Sequence, residues 1–259
     1  MASIVDGLRA QIDRLLELES IGEPPQYRLR THCTTLSNTP PLDFDGQKLI
    51  NEILSTFEEN WQKRVNSKPS KENWILRQRT NLSSKHTGAE VPLERVVANL
   101  FRLTRDLNKQ SSAAWGNQVP VASGVIDSKA DTHMNIDLVN QRAAVAFDLI
   151  EPKVRSDTPL YAGIEILIYG AAFLFWRLHL HDLGGAEPVA NSNSLLTAND
   201  LRVAVLAPAS YYKPFNLNLC VGVPKRLYSF GPLGAKNGNS DLQLALRIHT
   251  GCRVIDSSN

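Results

Sequence analysis

The sequence predicts an α/β (α+β) protein: a central mixed β-sheet flanked by helices, with a mainly helical N-terminal part. Two observations carry this. Up to about residue 107 the apolar residues mostly recur at helical spacing, and from His133 the period changes to the alternation of strands. The later strands are then interrupted by one long apolar helix, the order expected when helices pack on a sheet. A boundary near residue 88 divides a helical region with a basic segment (1–88) from the sheet-bearing core (89–259).

Ile4, Leu8, Ile12, Leu15 and Leu16 place an amphipathic helix over 3–20, stopped by Gly22, Pro24 and Pro25. Residues 26–36 alternate loosely and read as a short strand. Asp43 or Asp45 caps a second helix reaching about Arg64, with Leu49, Ile50, Ile53, Leu54, Phe57 and Trp61 on its apolar side. Pro92 and Glu94 open a third helix, 92–107. A polar connection, 108–130, follows. His133–Val139 and Ala143–Val154 read as strands joined by a short loop near Asn140–Arg142. Pro159 starts the long apolar helix, 159–180. A loop rich in Gly, Asn and Ser (184–200) leads to a strand at 201–207, and a last strand lies at 242–249.

The chain has 259 residues, 42% of them hydrophobic and 21% charged, which excludes global disorder. A net charge of +2 excludes a wholly basic nucleic-acid binder, so any basic site is local. Cys33, Cys220 and Cys252 form no CxxC and no zinc spacing. They read as reduced thiols of a cytoplasmic protein. Residues 1–20 carry six charged side chains and no apolar signal core. The stretch 164–176 holds Glu165 and falls short of the ~20 residues a spanning helix needs, so no membrane is expected.

One segment is strongly polarised. Between 61 and 85, Lys63, Arg64, Lys68, Lys71, Arg77, Arg79 and Lys85 face a single acid, Glu72, with Trp61 and Trp74 interleaved. Clustered cations neutralise phosphates, and indole rings can stack on bases. A solvated linker with both tryptophans in the core fits equally well.

The chemistry concentrates on the paired strands. Side chains alternate along a strand, so Glu151 and Lys153 share a face, with Phe147 and Leu149 behind them. The hairpin sets Asp137 on the strand beside Glu151. Two carboxylates converging from neighbouring strands make an oxygen-rich site suited to Mg²⁺ or Mn²⁺. A lysine beside them can hold a water and steady a phosphoryl charge. Asp137 is embedded in Ile136, Leu138 and Val139, and Glu151 ends an apolar run. Carboxylates in such places are costly unless paired or metal-bound.

These residues, NID with Asp137, then FDLIEPKV with Glu151 and Lys153, then the helix PLYAGIEILIYG, resemble the PD-(D/E)XK nuclease superfamily. The spacing is similar to that of archaeal Holliday-junction resolvases and RecB-like nucleases. The resemblance covers roughly 90–210 and implies a restriction-endonuclease-like core. It implies that Asp137 and Glu151 bind divalent metal, together with the Pro152 carbonyl, and that Lys153 serves the attacking water. The family's glutamate on the helix before the sheet maps to Glu94. Its QxxxY maps to Glu165 and Tyr169, with Glu in the Gln position. Pro152 keeps its carbonyl but has no N–H to give a ladder, which bears on where the strand ends. The implied activity is metal-dependent hydrolysis of nucleic acid, DNA before RNA. The basic residues of 61–85 would track the backbone, and a homodimer is left open. An inactive binding module on the same fold is the alternative.

His179 and His181, two apart on a helix, face different directions and suit no helical metal pair. His133 falls on Asp137's face by alternation. Asp148 falls opposite Glu151 and reads as structural. Tyr211 and Tyr212 read as packing residues at a strand end.

Overall fold

The computed structural model describes residues 3–18, 25–38, 46–63, 73–77, 91–107, 114–122, 134–154, 157–183, 194–212, 228–229 and 245–248. Helix α1 is Leu8–Leu15, followed by a 3₁₀ turn, Gln26–Arg28, and α2, Arg30–Asn38. Then come α3, Gly46–Gln62, and α4, Val91–Leu107. Strands β1 (Ala114–Pro120), β2 (Asn135–Ala143) and β3 (Ala146–Pro152) follow in sequence. Helix α5, Pro159–Leu178, crosses to β4, Asp200–Leu206. A short α6 (Ala209–Tyr212) and two small strands, β5 (Tyr228–Ser229) and β6 (Ala245–Ile248), complete the described elements.

The sheet is mixed, in the order β1-β2-β3-β4-β6-β5. β1, β2 and β3 are antiparallel neighbours, whereas β3–β4 and β4–β6 are parallel. Two parallel neighbours need a crossover, and α5 provides it. Strand alternation sorts the faces. Leu138 and Ile150 meet Val97 and Leu93 of α4, beside Trp115. Val139, Phe147, Leu149, Leu201 and Val203 join the cluster of α5. Helices thus cover both faces of the sheet.

Helix α5 is buried nearly all round, between β3 and β4 on one side and α3 on the other. Pro159 occupies its first turn, and the Thr158 side chain caps it by accepting the Tyr161 N–H at 3.2 Å. Its length and mean hydropathy of 1.5 would suffice to cross a membrane, but 72% of its apolar window is buried within the fold. Ile4, Leu8, Ile12, Phe57 and Trp61 of the N-terminal helices share one hydrophobic cluster with Phe173, Phe175 and Trp176. Phe57 meets Phe175 edge-on at 5.9 Å, and Trp61 meets Trp176 at 5.1 Å.

Several expected elements are corrected. Residues 26–36 form no strand: they are the 3₁₀ turn and α2. Thr34 and Thr35 give their hydroxyls to the carbonyls of Arg30 and Thr31 at 2.9 and 3.0 Å, so the β-branched residues are spent inside a helix. The polar connection 108–130 contains β1, six of whose seven residues are buried. The first helix is shorter than 3–20, ending where Leu16 closes it. The loop at Asn140–Arg142 is instead strand. Asn140 pairs with Asp148 and Gln141 with Phe147, a bulge follows, and the turn falls at 144–145. Arg142 holds that end, 2.6 Å from Asp148 and 3.0 Å from Asp200.

The outer edge of β1 is covered by residues 73–77. Trp74 N–H donates to the Pro120 carbonyl at 2.8 Å, and Asn117 N–H donates to the Arg77 carbonyl at 2.9 Å. The approach is close enough that a Cβ on Gly116 would lie 2.6 Å from Leu76 Cδ1 and 2.8 Å from the Arg77 oxygen. Covering an edge this way denies it to other chains.

Candidate active site

The β2–β3 register, with Leu138 opposite Ile150, puts Asp137 next to Glu151 at the end of the hairpin. Parity turns both to the α5 face. Glu151 and Lys153 are buried there, 3% and 6% exposed. Lys153 Nζ donates to Glu151 Oε1 at 2.6 Å and to Glu165 Oε2 at 3.0 Å, and lies 3.9 Å from Asp157 Oδ2. Glu165 and Tyr169 lie one turn apart on α5, which aims them together at the strand end.

Pro152 does not interrupt the sheet. It stands opposite Leu206, and Lys153 N–H then donates to the Leu206 carbonyl at 2.8 Å. By alternation the missing N–H lies on the β2 side, past the last β2–β3 pair at Ile150. The proline thus falls where its lost donor has no ladder to complete.

A second group lies on the other flank. Glu94 of α4 is 3% exposed. The Gln118 amide donates to Glu94 Oε2 at 3.2 Å and to Asp137 Oδ1 at 2.9 Å, joining the two carboxylates. Gln118 is buried and holds a left-handed φ of 51°, sparsely populated for a residue with a side chain. Its role was missed in the sequence, because AWGNQVP carries turn residues and no alternation.

The electrostatics follow from crowding. Burial raises the Glu151 carboxyl well above its ordinary range, Asp137 and Glu165 raise it further, and Lys153 opposes them. Burial works against the Lys153 charge, but Glu151 and Glu165 outweigh it and hold its pKa above the usual lysine value. The Tyr169 phenol is pushed up by burial and then by Glu165, Glu151 and Asp137, so it stays a neutral donor. The centre holds more carboxylate than its lysine balances.

No family model, curated protein or solved structure matches the chain. A functional reading therefore rests on the geometry of these residues. Among the described residues, no group of three or more His, Cys, Asp or Glu side chains is set to hold a metal ion.

The remaining candidates separate. Trp61 and Trp74 are 2% and 0% exposed, so the base-stacking reading of these two indoles fails and they are core residues. Lys63 is exposed at the end of α3. Arg77 Nε donates to the Gln118 carbonyl at 2.9 Å, tying it to β1 behind the site. Arg64, Lys68, Lys71 and Arg79, with Lys85 and His133, lie outside the described residues. His179 packs on Phe175 and lies 3.0 Å from Glu58, as a helix-end residue would. Asp148 bonds Arg142 and Asn140 on the face opposite Glu151. Tyr211 is buried edge-on to Tyr212.

Proposed function

We propose that this chain is a divalent-metal-dependent nuclease with a PD-(D/E)XK-like, restriction-endonuclease-like core, hydrolysing phosphodiester bonds of nucleic acid, with DNA as substrate. One observation carries the reading: the buried Glu151–Lys153 pair ends a central strand, with Asp137 beside it and Glu165 facing it from α5. Neither structural packing nor solubility requires this charge inside a core.

Among the described residues no three acidic side chains are already gathered for an ion, so Mg²⁺ or Mn²⁺ would have to draw its donors together. Asp137, Glu151 and the Pro152 carbonyl, with Glu94 adjoining, are the hard oxygen ligands such ions take. Burial first, and then the charges of Asp137 and Glu165, raise the Glu151 carboxyl, and a bound cation would favour its ionised form. When bound, the ion supplies Lewis-acid stabilisation of phosphoryl oxygens and acidifies its water. The protein's own groups do the rest. Lys153, fixed by Glu151 and Glu165, holds the attacking water and steadies charge developing on the phosphate. Gln118 orients Asp137 against Glu94. Tyr169, neutral, keeps a proton to donate toward the substrate.

A second reading has its own observation. Lys153 already bridges Glu151 and Glu165, a self-satisfied arrangement that an inactive nucleic-acid- or protein-binding module on the same fold would keep. Melting with Mn²⁺ separates the two. The nuclease reading predicts a stabilisation of about 2.7 kcal/mol at a hundredfold excess of Mn²⁺ over Kd, absent when EDTA chelates the Mn²⁺. Asp137→Asn, which keeps the side chain's shape, abolishes the rise. A wild-type Tm indifferent to Mn²⁺ and Mg²⁺ would sink the metal site and leave the module.

A further inference from the structure

A cavity of about 410 Å³ adjoins the Lys153 cluster, between the start of α1 and α5. Gly7 and Arg9 line it from the α1 side, Tyr27 from the 3₁₀ turn, and Tyr161, Glu165 and Tyr169 from α5. Glu165 is at once a wall of the cavity and a partner of Lys153 at 3.0 Å. Tyr161 also lines it, its ring centroid 5.9 Å from Lys153 Nζ. Cavity and cluster are therefore neighbours through shared side chains.

The walls have a definite chemistry. Tyr27 and Tyr161 stack at 5.8 Å with their planes 20° apart, and the Arg28 guanidinium sits 4.9 Å over the Tyr161 ring. The charge of Arg9 acts on both phenols. Asp6, also on the wall, has its carboxylate turned to the Ser3 N–H at 2.8 Å. Tyr161 and Tyr169, with a few polar groups, suit the edge of an organic ring, and Arg9 is the cation for its phosphate, set against the carboxylate of Glu165, while Tyr27 is buried and stacked on Tyr161. The volume lies at the small end of the roughly 300–1,000 Å³ of small-molecule sites. It accommodates one nucleotide rather than stacked base pairs.

We propose that this cavity takes one unpaired nucleotide of a DNA strand next to the bond held at Lys153, so that the N-terminal helices select single-stranded substrate. The inference rests on the nuclease reading for what happens at Lys153, but strand binding is measured without turnover. The intact chain is titrated in EDTA with a short labelled single-stranded DNA and with the blunt duplex of the same sequence, by fluorescence anisotropy. Arg9→Ala removes the cation, and Ala10→Trp obstructs the cavity from the same helix. Both residues are exposed, and an unchanged Tm verifies the fold. Wild type binds the single strand about tenfold tighter than the duplex, and each variant loses most of that preference. Equal or tighter duplex binding, no single-strand binding, or full preference in both folded variants overturns the pocket. Strand preference as stated, without metal-dependent cleavage, would leave the pocket standing and remove the nuclease. Cleavage without the preference does the reverse.

Discussion

Lys153 is the residue on which the electrostatics of the site turn. Its side chain and that of Glu151 are 8% and 4% exposed, so each shields the other's charge from an apolar surrounding. Removing one partner of a buried pair leaves an uncompensated charge and costs about 3–5 kcal/mol. Lys153→Met is therefore expected to lower the unfolding free energy by that order in a urea titration, and adding Glu151→Gln recovers part of it. The pH dependence has a definite sign. A carboxyl whose folded pKa is raised, as Glu151's is, is best tolerated protonated. The deficit of Lys153→Met is thus smallest below the unfolded carboxyl pKa and grows as pH rises through the folded one. A pH-independent deficit contradicts the burial of Glu151. In the sequence, the alternation of Glu151 and Lys153 was enough to place them together. Gln118 was not visible, because joining Glu94 to Asp137 depends on a strand and a left-handed backbone that local pattern does not announce.

At the scale of elements, period decided what could be read. α3, α4, α5, β2, β3 and β4 have long apolar faces or runs, and each lies within a few residues of its expected span. β1 and α2 went unseen for opposite reasons. β1 is a strand because tertiary neighbours bury it, with α4 on one side and residues 73–77 along its edge, and not because of its own propensity. α2 has threonines that favour strands, but their hydroxyls bond back into the helix. Gly116 is where β1 depends most on its cover. Gly116→Ala drives a methyl against Leu76 and the Arg77 carbonyl, and the backbone oxygen cannot move aside cheaply. The expected loss is about 1–3 kcal/mol in chemical denaturation. Faster amide exchange at Asn117, whose N–H bonds Arg77, should accompany it. Unchanged stability and exchange would show that residues 73–77 do not bind the edge.

Across the whole molecule, the N-terminal helices are built into the core that carries the site. One hydrophobic cluster runs from Ile4 and Phe57 to Trp176 and Val203. The same region supplies Tyr27 and Arg9 to the cavity beside Glu165. This convergence could not be read along the chain, since it joins residues more than a hundred positions apart, as in Arg28 and Asp157 at 2.6 Å. The nuclease reading makes Asp137, Glu151 and Lys153 one metal-dependent hydrolytic centre. The measurement that tests it most directly is cleavage of single-stranded, duplex and branched DNA, and of RNA, with Mn²⁺, Mg²⁺ or EDTA. Wild type is compared with Lys153→Ala and the isosteric Asp137→Asn, each verified as folded by circular dichroism. Cutting is expected to require the metal and to disappear in both variants. Cutting that persists in EDTA, or in folded Lys153→Ala and Asp137→Asn, would contradict the nuclease reading.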